Sequence, residues 1–146
     1  MILCLLTGLP IMLLCLLLQG GFLALCLRQY VRYRDAEQRH DALLRNTWLL
    51  SAVMLLMLLG NFVQMAIWAA LFMFLGEFDT FETALYFSGV NFATLGYGDI
   101  VMTEKWRLLG PLEAANGILM FGVSTAALTA AVMDIVKQAK SRHHDD

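Results

Sequence analysis

The chain has 146 residues, of which 60% are hydrophobic and only 15% charged. A soluble domain of this size is about half apolar and a quarter charged, so the composition excludes an ordinary water-soluble fold. The length allows one domain or one small membrane unit, and a net charge of −2 gives no footing for nucleic-acid binding.

The first element is an uncharged apolar run from Met1 to Leu27. A spanning helix needs about 20 mostly apolar residues, and this run supplies them. A cleaved leader would have a positive start and a shorter apolar core; here the positive charges follow the run, so a retained transmembrane helix is expected. Cys4, Cys15 and Cys26 recur at intervals of eleven, close to three whole turns, and share one helical face. At about 16 Å apart along the axis they are too distant for a disulfide or a shared metal and read as small residues on a packed face.

The basic stretch 28–46 carries Arg28, Arg32, Arg34, Arg39 and Arg45 and lacks Gly and Pro. It reads either as a short interfacial helix or as a solvated loop, the second being preferred; His40 has no evident partner. The second span, Trp48 to Gly76, is uncharged but holds Asn61 and Gln64 three apart on one face, as interhelical hydrogen bonds in lipid require.

The segment from Phe81 to Ala93 is apolar but too short to cross. Asp79 is expected to cap it, with Glu82 three residues on in capping-box register. It is the candidate for a re-entrant helix aimed at "TLGYGD". The third span, Leu108 to Val136, opens with Pro111 in its first turn, carries Glu113 and Asp134, and is rich in Gly, Ala and Ser, which let membrane helices approach closely.

Eight of the ten Lys and Arg residues fall in 28–46 and in the tail 137–146. That places both segments in the cytoplasm, with the N-terminus and the loops 76–82 and 99–107 outside. The expected division is therefore 1–27 transmembrane, 28–46 cytoplasmic linker, 47–76 transmembrane, 77–107 re-entrant segment with its loops, 108–136 transmembrane, and 137–146 tail. His143 and His144 lie in that tail, which is expected to be exposed. The fold class is an all-α membrane protein. No Ser/His/Asp set and no His/Cys cluster of ligand spacing gives an enzyme a foothold.

Irregular backbone at membrane depth survives only where protein buries it or where it lines water. Glycines permit torsions that other residues avoid, so alternating glycines in "TLGYG" can turn successive carbonyls to one side. With a short capped helix before it and a span on each flank, this segment resembles the pore module of potassium channels, whose filter reads T-V/I/L-G-Y-G. The resemblance covers residues 50–135. It implies a homotetrameric pore with K+ as permeant ion and no cofactor; the expected partners are K+, membrane lipid and copies of the chain, with no nucleic acid. Small size adds the expectation of a prokaryotic inner membrane.

Carried over by position, the carbonyls of Thr94, Leu95, Gly96 and Tyr97 would coordinate K+. The Thr94 hydroxyl would form the innermost ring, and Gly98 would let the strand exit. Asp99 would accept a hydrogen bond from Tyr86, which has Phe87 beside it. Tyr97 argues against the non-selective relatives. Gly117 matches a hinge glycine, and Ile118, Phe121, Thr125 and Thr129 would face a cavity.

The chain departs from the pattern at Ala93, where a threonine is usual, at Asn91, and at Val90, where some relatives keep a buried acid. Glu113 and Asn116 share a face. Either they turn to the re-entrant helix, toward Asn91 or Ser88, and replace that acid, or Glu113 lies in outer water. The first span packs either on the lipid side of the second or across a subunit boundary. Two other functions stay open: a weakly selective cation pore, and a non-conducting scaffold or sensor.

Overall fold

The computed structural model describes residues 1–34 and 42–142. All regular structure among them is helical: α1 runs Ile2–Arg34, α2 Ala42–Phe74, α3 Phe81–Phe92 and α4 Leu109–Arg142. Three windows are long and apolar enough to cross a membrane, namely Ile2–Arg28, Asn46–Phe74 and Leu109–Lys137. Of the basic stretch, residues 28–34 prolong α1 and 42–46 belong to α2. His40 and Arg39, like the tail residues His143 and His144, lie outside the described residues.

α1 buries a single stripe made of Cys4, Gly8, Cys15, Gln19 and Cys26. The alternation of fours and sevens keeps these positions on one side of a helix. The stripe faces both α2 and α4 of the same chain. Gly8 makes this approach possible: a β-carbon there would lie 2.9 Å from Leu112 and 3.1 Å from Leu109. The first span thus sits in the groove between the other two, within its own protomer.

α3 is too short to cross at 12 residues, and it packs against α2 and α4. Its cap is Thr80, one residue later than the expected Asp79. Thr80 is extended (φ −125°, ψ 144°) and its hydroxyl accepts the Thr83 N–H at 3.3 Å. Glu82 consequently falls in the first turn rather than in capping-box register, where its charge still favours the positive helix end. The loops before and after α3 meet: the Glu77 carboxylate accepts the N–H and the hydroxyl of Thr103, each at 2.7 Å. The Cys4 thiol donates to the Lys105 carbonyl at 3.2 Å. The chain therefore enters and leaves the α3 region at one end of the bundle.

Lipid offers no hydrophobic drive for helix association, so packing and hydrogen bonds must supply it. Phe87 of α3 meets Phe72 edge-on at 5.4 Å and Phe78 at 5.0 Å. Trp68, Phe72, Phe92, Leu109 and Met120 are fully enclosed around it. This aromatic core fixes where the C-terminus of α3 points.

Candidate functional site

α3 ends at Phe92 with Ala93 as its C-cap. The Thr94 N–H donates to the Asn91 carbonyl and the Leu95 N–H to the Val90 carbonyl, both at 2.8 Å. Thr94 is left-handed, with φ 58°. These two bonds and one left-handed residue form a Schellman motif, with threonine where glycine is usual. A side chain at such torsions costs about 1–2 kcal/mol, and Thr94 is the only non-glycine residue of positive φ among the described residues. Left-handed torsions recur at Gly96 (φ 60°) and Gly98 (φ 72°), alternating with Leu95 and Tyr97. In an ordinary strand successive residues face opposite sides. Alternating the hand at every second residue brings successive carbonyls back to one side. The side chains of Leu95 (54%) and Tyr97 (66%) are exposed in the single chain.

The far end of this segment is pinned to α3. The Tyr86 hydroxyl donates to Asp99 Oδ2 at 2.7 Å, which is the pairing expected from sequence. That bond, more than any other influence, holds the phenol above the ordinary tyrosine range. A phenolate cannot donate, so the pin is present at neutral pH and is lost only as pH rises through the raised value. Alkaline titration followed by ultraviolet absorbance is expected to show one late-ionising tyrosine that is missing in Tyr86→Phe. A superimposable titration of the variant would contradict the pin.

Below the segment, α4 presses on the end of α3. A β-carbon on Gly117 would lie 2.0 Å from the Phe92 carbonyl oxygen and 2.8 Å from its carbon. Further down the same helix Ile118, Phe121, Thr125 and Thr129 are all exposed, and Phe121 meets Phe92 edge-on at 5.7 Å. The hydroxyls of Thr125 and Thr129 donate back to the carbonyls of Phe121 and Thr125, which ties them to the helix and leaves oxygen lone pairs turned outward.

A family model described as an ion channel matches residues 54–134, most of α2 through most of α4. The chain belongs to the ion channel family. No curated protein and no solved structure matches it. The matched stretch of the channel contains the left-handed segment, its pin and the exposed face of α4, and leaves α1 outside.

Behind α3 the channel buries polar groups. Ser88, Glu113 and Asn116 are fully enclosed. Ser88 Oγ reaches the Met65 carbonyl of α2 at 2.8 Å and bonds the Glu113 carboxyl of α4. One hydroxyl joins three helices, although it has a single proton to give. Glu113 is thus directed to the re-entrant helix and away from outer water. Asn116 makes no hydrogen bond to α3: its buried carboxamide has no partner among the described residues. Asn91 bonds its own helix at the Phe87 carbonyl, 3.1 Å away, and Val90 is buried. Ser88→Ala leaves a buried acid without its partner. A loss of about 1–3 kcal/mol per chain is expected, read as a lower thermal midpoint in detergent; an unchanged midpoint would contradict it.

One buried polar residue escaped the sequence reading. Gln19 is 2% exposed and bonds α2 and α4. The available signal was a lone carboxamide near the middle of an otherwise apolar span.

Proposed function

We propose that the channel is potassium-selective and conducts passively through a ring of four copies of residues 94–98. The observation that carries this reading is the alternating left-handed backbone at Thr94, Gly96 and Gly98. A row of same-side carbonyls from Thr94, Leu95, Gly96 and Tyr97 can replace the water shell of a dehydrated K+, with the Thr94 hydroxyl at the inner end. The negative end of the α3 dipole lies at the start of the row and favours a cation there. Gly98 carries the strand out to Asp99, which Tyr86 anchors.

One strand contacts one side of an ion, so closure takes several copies. The apolar window of α4 is only 6% buried in a single chain, which fits a helix that neighbouring copies cover on its flanks. Its stripe of Ile118, Phe121, Thr125 and Thr129 would face a central cavity. The excess of Arg and Lys in 28–46 and 137–146 supports a topology with those segments in the cytoplasm and the Glu77–Thr103 clasp outside.

A second reading, weak selectivity, draws support from a 380 Å³ pocket that borders Gly96, Gly98, Asn91 and Arg107. Carbonyls without a rigid backing adapt to smaller ions. Purified protein in liposomes under opposed K+ and Na+ gradients decides between them. A reversal potential near the K+ equilibrium value is expected. Near-equal currents would favour the second reading, and no flux from an intact tetramer would overturn both.

A further inference from the structure

We infer that Gln19 of α1 is a positioning residue for the conducting path: it ties the lower half of α4 to α1 and α2, and so sets how readily that half moves. The inference rests on α4 lining the proposed pore. α1 itself lies outside the stretch that identifies the family, and its buried stripe is otherwise small or apolar.

A bare carboxamide is costly in hydrocarbon, and this one is fully used. Gln19 Oε1 accepts from Gln64 Nε2 of α2 at 2.7 Å. Its Nε2 donates to Ser124 Oγ of α4 at 3.1 Å and to the Met57 sulfur of α2 at 3.7 Å. Ser124 in turn donates its own proton to the Met120 carbonyl at 2.8 Å, so its oxygen is committed as the acceptor for Gln19. The bonds run in one direction from α2 through α1 to the backbone of α4. α2 makes room for them at Gly60, where a β-carbon would lie 3.2 Å from Gln19 Oε1 and 3.1 Å from Phe22.

The consequence lies in where α4 is held. Gly117 seats it on Phe92, and Ser124 holds it again seven residues lower, about 10 Å along the axis. Gly122 between them has nothing within 4 Å of its β-carbon position. A tilt of lower α4 about Gly117 therefore has to stretch the Gln19–Ser124 bond. Beneath Ser124, α1 and α2 meet α4 through Cys26, Val53 and Ala127, beside a cavity of about 600 Å³ that Ala130 and Ala131 also line.

The experiment uses the full chain reconstituted in liposomes, as wild type, Gln19→Leu, Ser124→Ala and the double variant. Single-channel records are expected to keep unitary conductance and reversal potential while open probability shifts about threefold or more. The scale follows from the strength of membrane hydrogen bonds. The double variant should match Gln19→Leu, because that substitution already cuts the bond that Ser124→Ala removes. Unchanged open probability in both single variants overturns the inference, as does an altered conductance with open probability unmoved.

A second readout does not need conduction. Spin labels at Val136→Cys, an exposed site on lower α4, are expected to give broader distance distributions in both variants than in the parent. Identical distributions overturn the inference. Broadened distances in a protein that never conducts would refute the proposed potassium channel and leave the brace standing. Should Gln19→Leu fail to fold, Ser124→Ala, which removes only one oxygen, decides alone.

Discussion

Gly96→Ala is expected to abolish selective K+ flux while the protomers stay folded and assembled. Gly96 is left-handed at φ 60°, and a β-carbon added there meets nothing within 4 Å in the protomer. The effect is therefore conformational rather than steric. A left-handed alanine costs about 1–2 kcal/mol, and a ring of four would carry that strain four times over. The relief is a return to negative φ, which swings a carbonyl out of the row and breaks the alternation that begins at Thr94. Fluxes under opposed gradients together with a thermal melt check this. A lost K+ reversal potential with a near-normal melt is the expected pair. A variant that keeps the parent's reversal potential would show that the carbonyl row does not select.

Gly117→Ala is expected to act through stability first. The resemblance to potassium channels makes this position a hinge, where glycine would serve bending. The structure gives it another duty: the added β-carbon would sit 2.0 Å from the Phe92 carbonyl oxygen, and both sides of that contact are backbone. No rotamer can relieve it, so α4 must move away from α3 or α3 must shift. Overpacking costs about 1–3 kcal/mol, and here the shift would be passed to Ala93 and Thr94. A lowered midpoint and a disturbed reversal potential are expected together. Gly122→Ala is the control, since it has open space and alanine is the better helix former by about 0.8–1.0 kcal/mol. A pure hinge would give the opposite pattern, with Gly117→Ala melting normally and only its opening altered.

The three spans and the short α3 were legible because length and hydropathy are properties of each segment alone. The pairing of Tyr86 with Asp99 was legible through the motif that positions both. What escaped depends on local torsions or on neighbours distant in sequence. Asp79 and Thr80 can each cap a helix, and only the torsions at Thr80 decide. Composition points to the glycines for the unusual backbone of the 94–98 segment, yet it begins at a threonine, because the Schellman closure of α3 demands a left-handed residue there. The presence of a glycine at 117 fits both bending and close contact, and the sequence cannot tell them apart. An acid at position 113 is compatible with water or with protein, and only its bond to Ser88 of α3 decides. Gln19 was a visible anomaly whose partners lie on two other helices.

Those partners also arrive late. Gln64 follows Gln19 by 45 residues and Ser124 by 105. During synthesis α1 enters the bilayer with its carboxamide unmatched, gains two bonds when α2 is inserted, and gains the last only when α4 comes in beside it. The described part of the protomer is thus closed by α4. A chain truncated before α4 would leave Gln19 one bond short and Ser88 without Glu113, two polar marks in the hydrocarbon by which an unfinished copy differs from a finished one before any subunits meet.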